Sequence, residues 1–152
     1  MRRFERVTGY SSVILPKRAT KQSAGYDLVA AKETFIDAKQ ISLVPTGVKA
    51  TFPANEFLFI VARSSLPVKF GVMLPNGVGV IDADYYNNPR NEGEIFVMLY
   101  NFTDYAVTIS KGERIAQAIL SPFLTVTNEE EPTESRQGGF GSTENKGNNE
   151  DN

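Results

Sequence analysis

Asp82 and Asp84 flank Ala83 directly after the glycine-rich stretch Leu74-Pro75-Asn76-Gly77-Val78-Gly79-Val80-Ile81. Side chains two apart along an extended strand face the same side. Two such carboxylates can raise one another's pKa or hold a hard cation through water. An acidic turn satisfies the same spacing. The pair gains weight from what the chain lacks, because it contains no histidine and no cysteine. Proton abstraction therefore falls to a carboxylate, a lysine, a tyrosine or the backbone amine. Ser-His-Asp catalysis, zinc hydrolase chemistry, thiolate metal sites and disulfide frameworks are excluded.

Other candidates cluster around apolar runs. Arg63-Ser64-Ser65 follows the strand-length run Phe57–Val61. One guanidinium and two hydroxyls at a strand end suit a phosphate, and equally a surface turn. Asp27 follows Ala24-Gly25-Tyr26 and either caps a turn or meets a ligand. Gln117 lies inside the apolar run Ile115–Leu120, where a buried amide must be hydrogen-bonded to the core or to a ligand. Tyr85 and Tyr86 follow the acidic pair. A tyrosine ring beside a sugar rejects substituents by contact, and the same ring suits cross-strand packing. Further on stands the island Arg136-Gln137-Gly138-Gly139-Phe140-Gly141-Ser142-Thr143. Arginine forks to phosphate, phenylalanine stacks on a base, and glycines free backbone amides to donate. The composition also reads as a flexible linker.

The elements that must position these groups read as strands. Ile41–Val44, Phe57–Val61, Ile95–Tyr100 and Ile115–Leu120 are rich in β-branched and aromatic residues and bounded by Pro, Gly and Asn turns. No window keeps helical spacing, so the expected architecture is all-β: an antiparallel barrel or jelly roll. One short helical turn fits between Ser65 and Gly71, limited by Pro67, and Asn76-Gly77 predicts a hairpin across Leu74–Ile81. The chain has 152 residues, which suits one core. Near Thr127 it turns acidic, polar and glycine-rich. That predicts a β-barrel over 1–127 and a C-terminal arm over 128–152, mobile in isolation. The net charge of -2 gives no general drive toward nucleic acid. No stretch reaches the ~20 apolar residues of a membrane span, and the basic N-terminus lacks the apolar run of a signal peptide. A cytoplasmic protein is expected, in a host cytoplasm if the source is viral.

The order of these pieces resembles the trimeric dUTP diphosphatase family. Five short motifs of that family have counterparts here: Ala24–Ala31, Ala62–Leu66, Asn76–Tyr85, Gly112–Gln117 and Gly138–Thr143. The likeness spans roughly Leu15 to Thr143. It implies a jelly-roll homotrimer with active sites at subunit interfaces, hydrolysing dUTP to dUMP and pyrophosphate with Mg2+. That activity limits uracil incorporation into DNA and supplies dUMP for thymidylate synthesis. The resemblance gives Asp82 the water that attacks the α-phosphorus. Asn76 and the backbone at Gly79 and Ile81 would read uracil, in a cleft too narrow for the thymine methyl. Tyr85 would exclude the ribose 2'-hydroxyl. Arg63, Ser64, Ser65 and Gln117 of a neighbouring subunit would hold the phosphates. Phe140 would stack on uracil, Arg136, Gly141, Ser142 and Thr143 would grip the γ-phosphate, and Asp27 would meet magnesium through water.

The chain departs from the family pattern in places. Ala62 stands where glycine is usual, and Arg136 is one residue closer to Phe140 than in the commonest form. Glu144 replaces a glycine. Residues 86–92 look like a surface insertion beside the site, able to touch substrate or a protein partner. A deaminase of dCTP shares the fold and an Arg-Ser-Ser segment, but Gly79–Tyr85 and Phe140–Thr143 favour the diphosphatase. A nucleotide-sensing interaction protein, binding a partner through 86–92, is the alternative of another class.

Overall fold

A computed structural model describes residues 1–141 of the chain. Twelve strands run in order: β1 (Arg3–Arg6), β2 (Lys17–Arg18), β3 (Tyr26–Val29), β4 (Thr34–Ile36), β5 (Ile41–Pro45), β6 (Val48–Thr51), β7 (Glu56–Val61), β8 (Val72–Met73), β9 (Gly79–Asp82), β10 (Phe96–Asn101), β11 (Val107–Ile109) and β12 (Arg114–Pro122). One helix, α1 (Leu66–Phe70), lies between β7 and β8. All strand pairings are antiparallel: β2-β3-β12-β7-β9 in the largest sheet, β5-β10-β8 in a second, with β1-β6 and β11-β4 as separate pairs. The result is the expected all-β architecture, a distorted jelly-roll barrel.

Period-two burial builds this barrel. In β7 the side chains of Leu58 and Ile60 point inward, and in β10 those of Val97 and Leu99 do. With Leu28, Ile36, Val44, Ile109 and Ile115 they form one continuous core of nearly inaccessible side chains. Each contributes about 1.5–3 kcal/mol through burial. Pro67 falls in the first turn of α1, where its missing N–H costs no helix bond. The helix stops at Gly71, whose φ of 66° is left-handed.

Two features of the barrel position the candidate site. The nine-residue β12 runs between β3 and β7, so Gln117 stands opposite both Asp27 and Val61. On the far side of β7, Ile60 pairs with Gly79 and Phe57 with Asp82. The expected hairpin over 74–81 is only half present. Gly77, at φ 70°, does turn the chain, and its N–H donates to the Leu74 carbonyl at 3.1 Å. The flanking strands then part, β8 joining β10 and β9 joining β7. The Asn-Gly turn carries the chain from one sheet to another, because each flanking strand finds a partner edge elsewhere. No helix of the described residues is long and apolar enough to cross a membrane.

Candidate active site

A cavity of about 180 Å³ opens beside β9. Ile60, Leu74, Phe96 and Met98 supply apolar wall, and Asn76, Asp82, Tyr85 and Arg136 supply polar groups. Gly79, Ile81 and Phe140 line it too. Gly79 lacks a side chain for a packing reason, since a Cβ there would lie 3.0 Å from Cβ of Ile60. The base-side candidates of the third and fifth motifs thus meet in one chain.

Asp82 ends β9 and Asp84 sits in the 3₁₀ turn Ala83–Tyr85 that follows. They share a side through this turn rather than through strand alternation. Arg136 bridges them: Nε donates to Asp84 Oδ1 at 2.7 Å, and Nη2 donates to Asp82 Oδ2. The guanidinium assigned to a phosphate by resemblance therefore rests on both carboxylates. Tyr85 is 5% exposed. Its Oη donates to the Glu94 carbonyl at 2.8 Å and accepts from Asn91 Nδ2 at 2.8 Å. Burial pushes the phenol above its ordinary pKa, against the Asn91 hydrogen bond, so the ring stays neutral and the hydroxyl remains a donor.

The arm returns over this cavity. Buried Gly138 packs on Arg90, and a Cβ on Gly139 would stand 2.9 Å from Tyr85 Cε2. The paired glycines therefore permit close approach, beyond any linker flexibility. Phe140 stands at the cavity rim, 62% exposed. Gly141 follows at φ 87°, and Ser142 and Thr143 lie outside the described residues.

A second cluster forms where β3, β12 and the end of β7 meet. Arg63 Nε lies 3.1 Å from Asp27 Oδ1, and Arg114 Nη1 donates to Asp27 Oδ2 at 3.2 Å. Two guanidiniums against one carboxylate leave the cluster net positive, which suits an anion. Gln117 occupies the space that a side chain on residue 25 would need: a Cβ on Gly25 would be 2.6 Å from Gln117 Oε1. Ser64 and Ser65 are exposed beside Arg63, and Ser65 caps α1 without spending its hydroxyl. None of Arg63, Ser64, Ser65, Asp27 or Gln117 lines the 180 Å³ cavity. Asp27 instead borders a separate depression with Lys17, Arg18 and Arg114.

Among the described residues no three acidic side chains converge as metal ligands. Asp82, Asp84 and Asp27 are each engaged by arginine. Such a donor set fits a divalent cation carried mainly on a ligand's own oxygens and waters. Sequence reasoning passed over Arg114, although it lies within the fourth motif, and over Asn88 and Asn91. Residues 86–92 were expected as a surface insertion, yet Asn88 is 4% exposed and the loop turns its amides inward.

The family model described as dUTPase matches residues 11–144. The deoxyuridine 5'-triphosphate nucleotidohydrolase of Lactococcus lactis subsp. lactis (strain IL1403) is 50% identical over 146 residues, covering 94% of this chain and 97% of its own. That of avian adenovirus 8 is 40% identical over 134 residues, covering 86% of this chain and 77% of its own. The crystal structure of dUTPase from Streptococcus mutans superposes with a TM-score of 0.81 at 51% identity, covering 82% of this chain and 98% of that one. A dUTPase from phage phi11 of S. aureus, at 18% identity and a TM-score of 0.72 over 88% of this chain and 97% of its own, shares the fold. With its motifs in register along a matched barrel, the chain belongs to the dUTPase family.

Proposed function

We propose that the chain hydrolyses dUTP to dUMP and pyrophosphate in the cytoplasm as a homotrimer with magnesium-bound substrate. The observation that carries this reading is the cavity in which Asn76, Gly79, Ile81, Asp82 and Tyr85 meet under the arm. Asn76 and the β9 backbone read the uracil edge, and Ile60 beside Gly79 helps keep the cleft too narrow for a 5-methyl group. The Tyr85 ring lies against deoxyribose. Asp82 orients a water and takes its proton. The water oxygen then bonds to the α-phosphorus, and the bond from that phosphorus to the bridging oxygen breaks. Pyrophosphate leaves with the electron pair. Magnesium carried on the substrate's phosphates would supply neutralising charge there, and Asp27 would meet it through water.

Arg63, Ser64, Ser65 and Gln117 hold the phosphates from a neighbouring subunit. Support comes from their separation: among the described residues, the cavity lined by Asp82 is lined by none of them. A second copy is the simplest way to bring a net positive cluster against the base-reading cleft. Arg136, with Gly141, Ser142 and Thr143, transfers to the γ-phosphate as the arm closes, and Phe140 stacks on uracil. The more highly charged phosphate offers the guanidinium a stronger partner than the half-exposed carboxylates it now holds.

The test is pyrophosphate release from dUTP, UTP, dTTP and dCTP with magnesium, for the wild type and Asp82→Asn. Release from dUTP alone is expected, falling about 10²–10⁴-fold in the variant. No pyrophosphate from dUTP would sink the proposal, and ammonia from dCTP would redirect it to a deaminase.

A further inference from the structure

We propose that Asn91 is a positioning residue that sets the selectivity for deoxyribose by fixing Tyr85. The inference rests on the sugar-excluding role proposed for that ring. Tyr85 is held at its hydroxyl from two directions, and both partners come from the segment that follows it. Asn91 Nδ2 donates to Oη and the Glu94 carbonyl accepts from it, each at 2.8 Å. A ring that must reject one oxygen atom by contact works only if it cannot yield. The two bonds on Oη block rotation of the ring out of the cleft.

Asn91 is itself held rigidly. Its Oδ1 accepts from Asn88 Nδ2 at 2.7 Å and from the Gly93 N–H at 3.1 Å. Asn88 Nδ2 also donates to the Tyr85 carbonyl at 2.8 Å, and Asn88 Oδ1 accepts the N–H groups of Arg90 and Asn91. The two amides thus tie both ends of Tyr85, backbone and hydroxyl, to one loop. That loop is anchored to the barrel on its other side. Lys49 Nζ donates to Asn87 Oδ1 at 2.6 Å, Tyr86 Oη donates to Glu5 Oε2 at 2.7 Å, and Thr8 Oγ1 donates to Glu92 Oε2 at 3.1 Å. Gly93 closes the loop at φ 83°, where a Cβ would lie 2.6 Å from the Tyr85 carbonyl oxygen. A loop whose asparagines are spent this way braces the specificity ring from within, while Pro89 and Arg90 stay exposed on its outer side.

Asn91→Asp keeps the two bonds that Oδ1 accepts and puts a second acceptor oxygen where the donor to Tyr85 stood, so the single hydroxyl proton serves either that oxygen or the Glu94 carbonyl and the ring loses one of its two ties. The readout is the ratio of kcat/KM for dUTP to that for UTP, with the full-length protein. It is measured for the wild type, Asn91→Asp, Tyr85→Phe and the double variant. Asn91→Asp is expected to narrow the ratio about three- to tenfold, the size of one lost hydrogen bond. In the Tyr85→Phe background the same change is expected to alter it by less than about twofold, since the hydroxyl it acts through is gone. Asn91→Ala, which also unties the loop, serves as a second variant and is expected to narrow the ratio at least as far. Unchanged selectivity in Asn91→Asp, or an effect that adds in full to Tyr85→Phe, would overturn the inference. A wild type that turns over UTP as well as dUTP would instead remove the role of Tyr85 on which it rests.

Discussion

Alanine at Gly139 would place a Cβ 2.9 Å from Tyr85 Cε2, 3.4 Å from its Oη and 3.5 Å from its Cζ. Carbon atoms settle at about 3.5–4.0 Å, so one side must give by roughly 0.6–1 Å. The ring cannot, because it is buried and its hydroxyl is bonded on both sides. The arm therefore lifts, and Phe140 lifts with it. Overpacking of this kind costs about 1–3 kcal/mol, which corresponds to roughly 5- to 150-fold in the closing equilibrium. We expect kcat/KM for dUTP to fall within that range. Thermal stability should hold to about 0.5 kcal/mol, because the arm buries none of the barrel core. Gly138 supplies an internal control. Its Cβ would meet Cδ of Arg90 at 3.0 Å, but Arg90 is exposed and can swing aside. Gly138→Ala should cost much less. The assay is pyrophosphate release under subsaturating dUTP. The chain has no tryptophan, so Phe140→Trp adds a single emission reporter of closure on which the glycine variants can be compared. Wild-type kcat/KM in Gly139→Ala, or equal losses at both glycines, would refute the argument.

A Cβ on Gly25 would lie 2.6 Å from Gln117 Oε1 and 3.1 Å from Gln117 Cβ, so Gly25→Ala must push Gln117 out of its row. A loss of about 1–3 kcal/mol in denaturant unfolding, with kcat/KM down about tenfold, is expected, and unchanged kinetics would detach Gln117 from the phosphates. Burial pushes the Glu94 carboxyl above its ordinary range, although Oε1 accepts the Gly47 N–H at 3.1 Å. The folded protein then binds more protons than the unfolded chain, so this group costs stability as pH rises through its raised pKa. Glu94→Gln keeps the acceptor and removes the charge. Its stability should match wild type below the ordinary carboxylate pKa, gain on it as pH rises from there through the raised pKa, and keep a constant margin above that, and a difference independent of pH would contradict the burial effect.

The barrel was legible because Phe57–Val61 and Ile95–Tyr100 are apolar runs of strand length, rich in β-branched and aromatic residues and bounded by turn residues. Which side chains of β7 and β10 point inward was not legible, because both faces of these strands carry apolar residues. The pairing of β8 and β9 was not legible either, since Asn76-Gly77 specifies a turn and says nothing about which sheet edge receives the strands it separates. Asp82, Tyr85 and Asn76 could be grouped because they fall within ten residues of one another. Arg136 was assigned to a phosphate. What stands nearest in the folded chain is a pair of carboxylates 52 and 54 positions away, a contact no local pattern encodes.

The segment 86–92 is a surface loop, with Asn87, Pro89 and Arg90 exposed, yet it carries a buried polar group that its composition did not announce. Asn-Asn-Pro-Arg-Asn-Glu is the composition of a solvated turn, and hydropathy alone places it outside. An amide, however, offers two donors and a bifunctional acceptor, so a pair of asparagines can satisfy one another and the surrounding backbone without water. Asn88 and Asn91 do this around Tyr85, and the result is a polar knot with one member 4% exposed. Burial here follows from hydrogen-bond completeness rather than from apolar surface. Hydrogen-bonded asparagines beside a buried tyrosine thus warrant the question of whether they hold the ring before the question of what they bind.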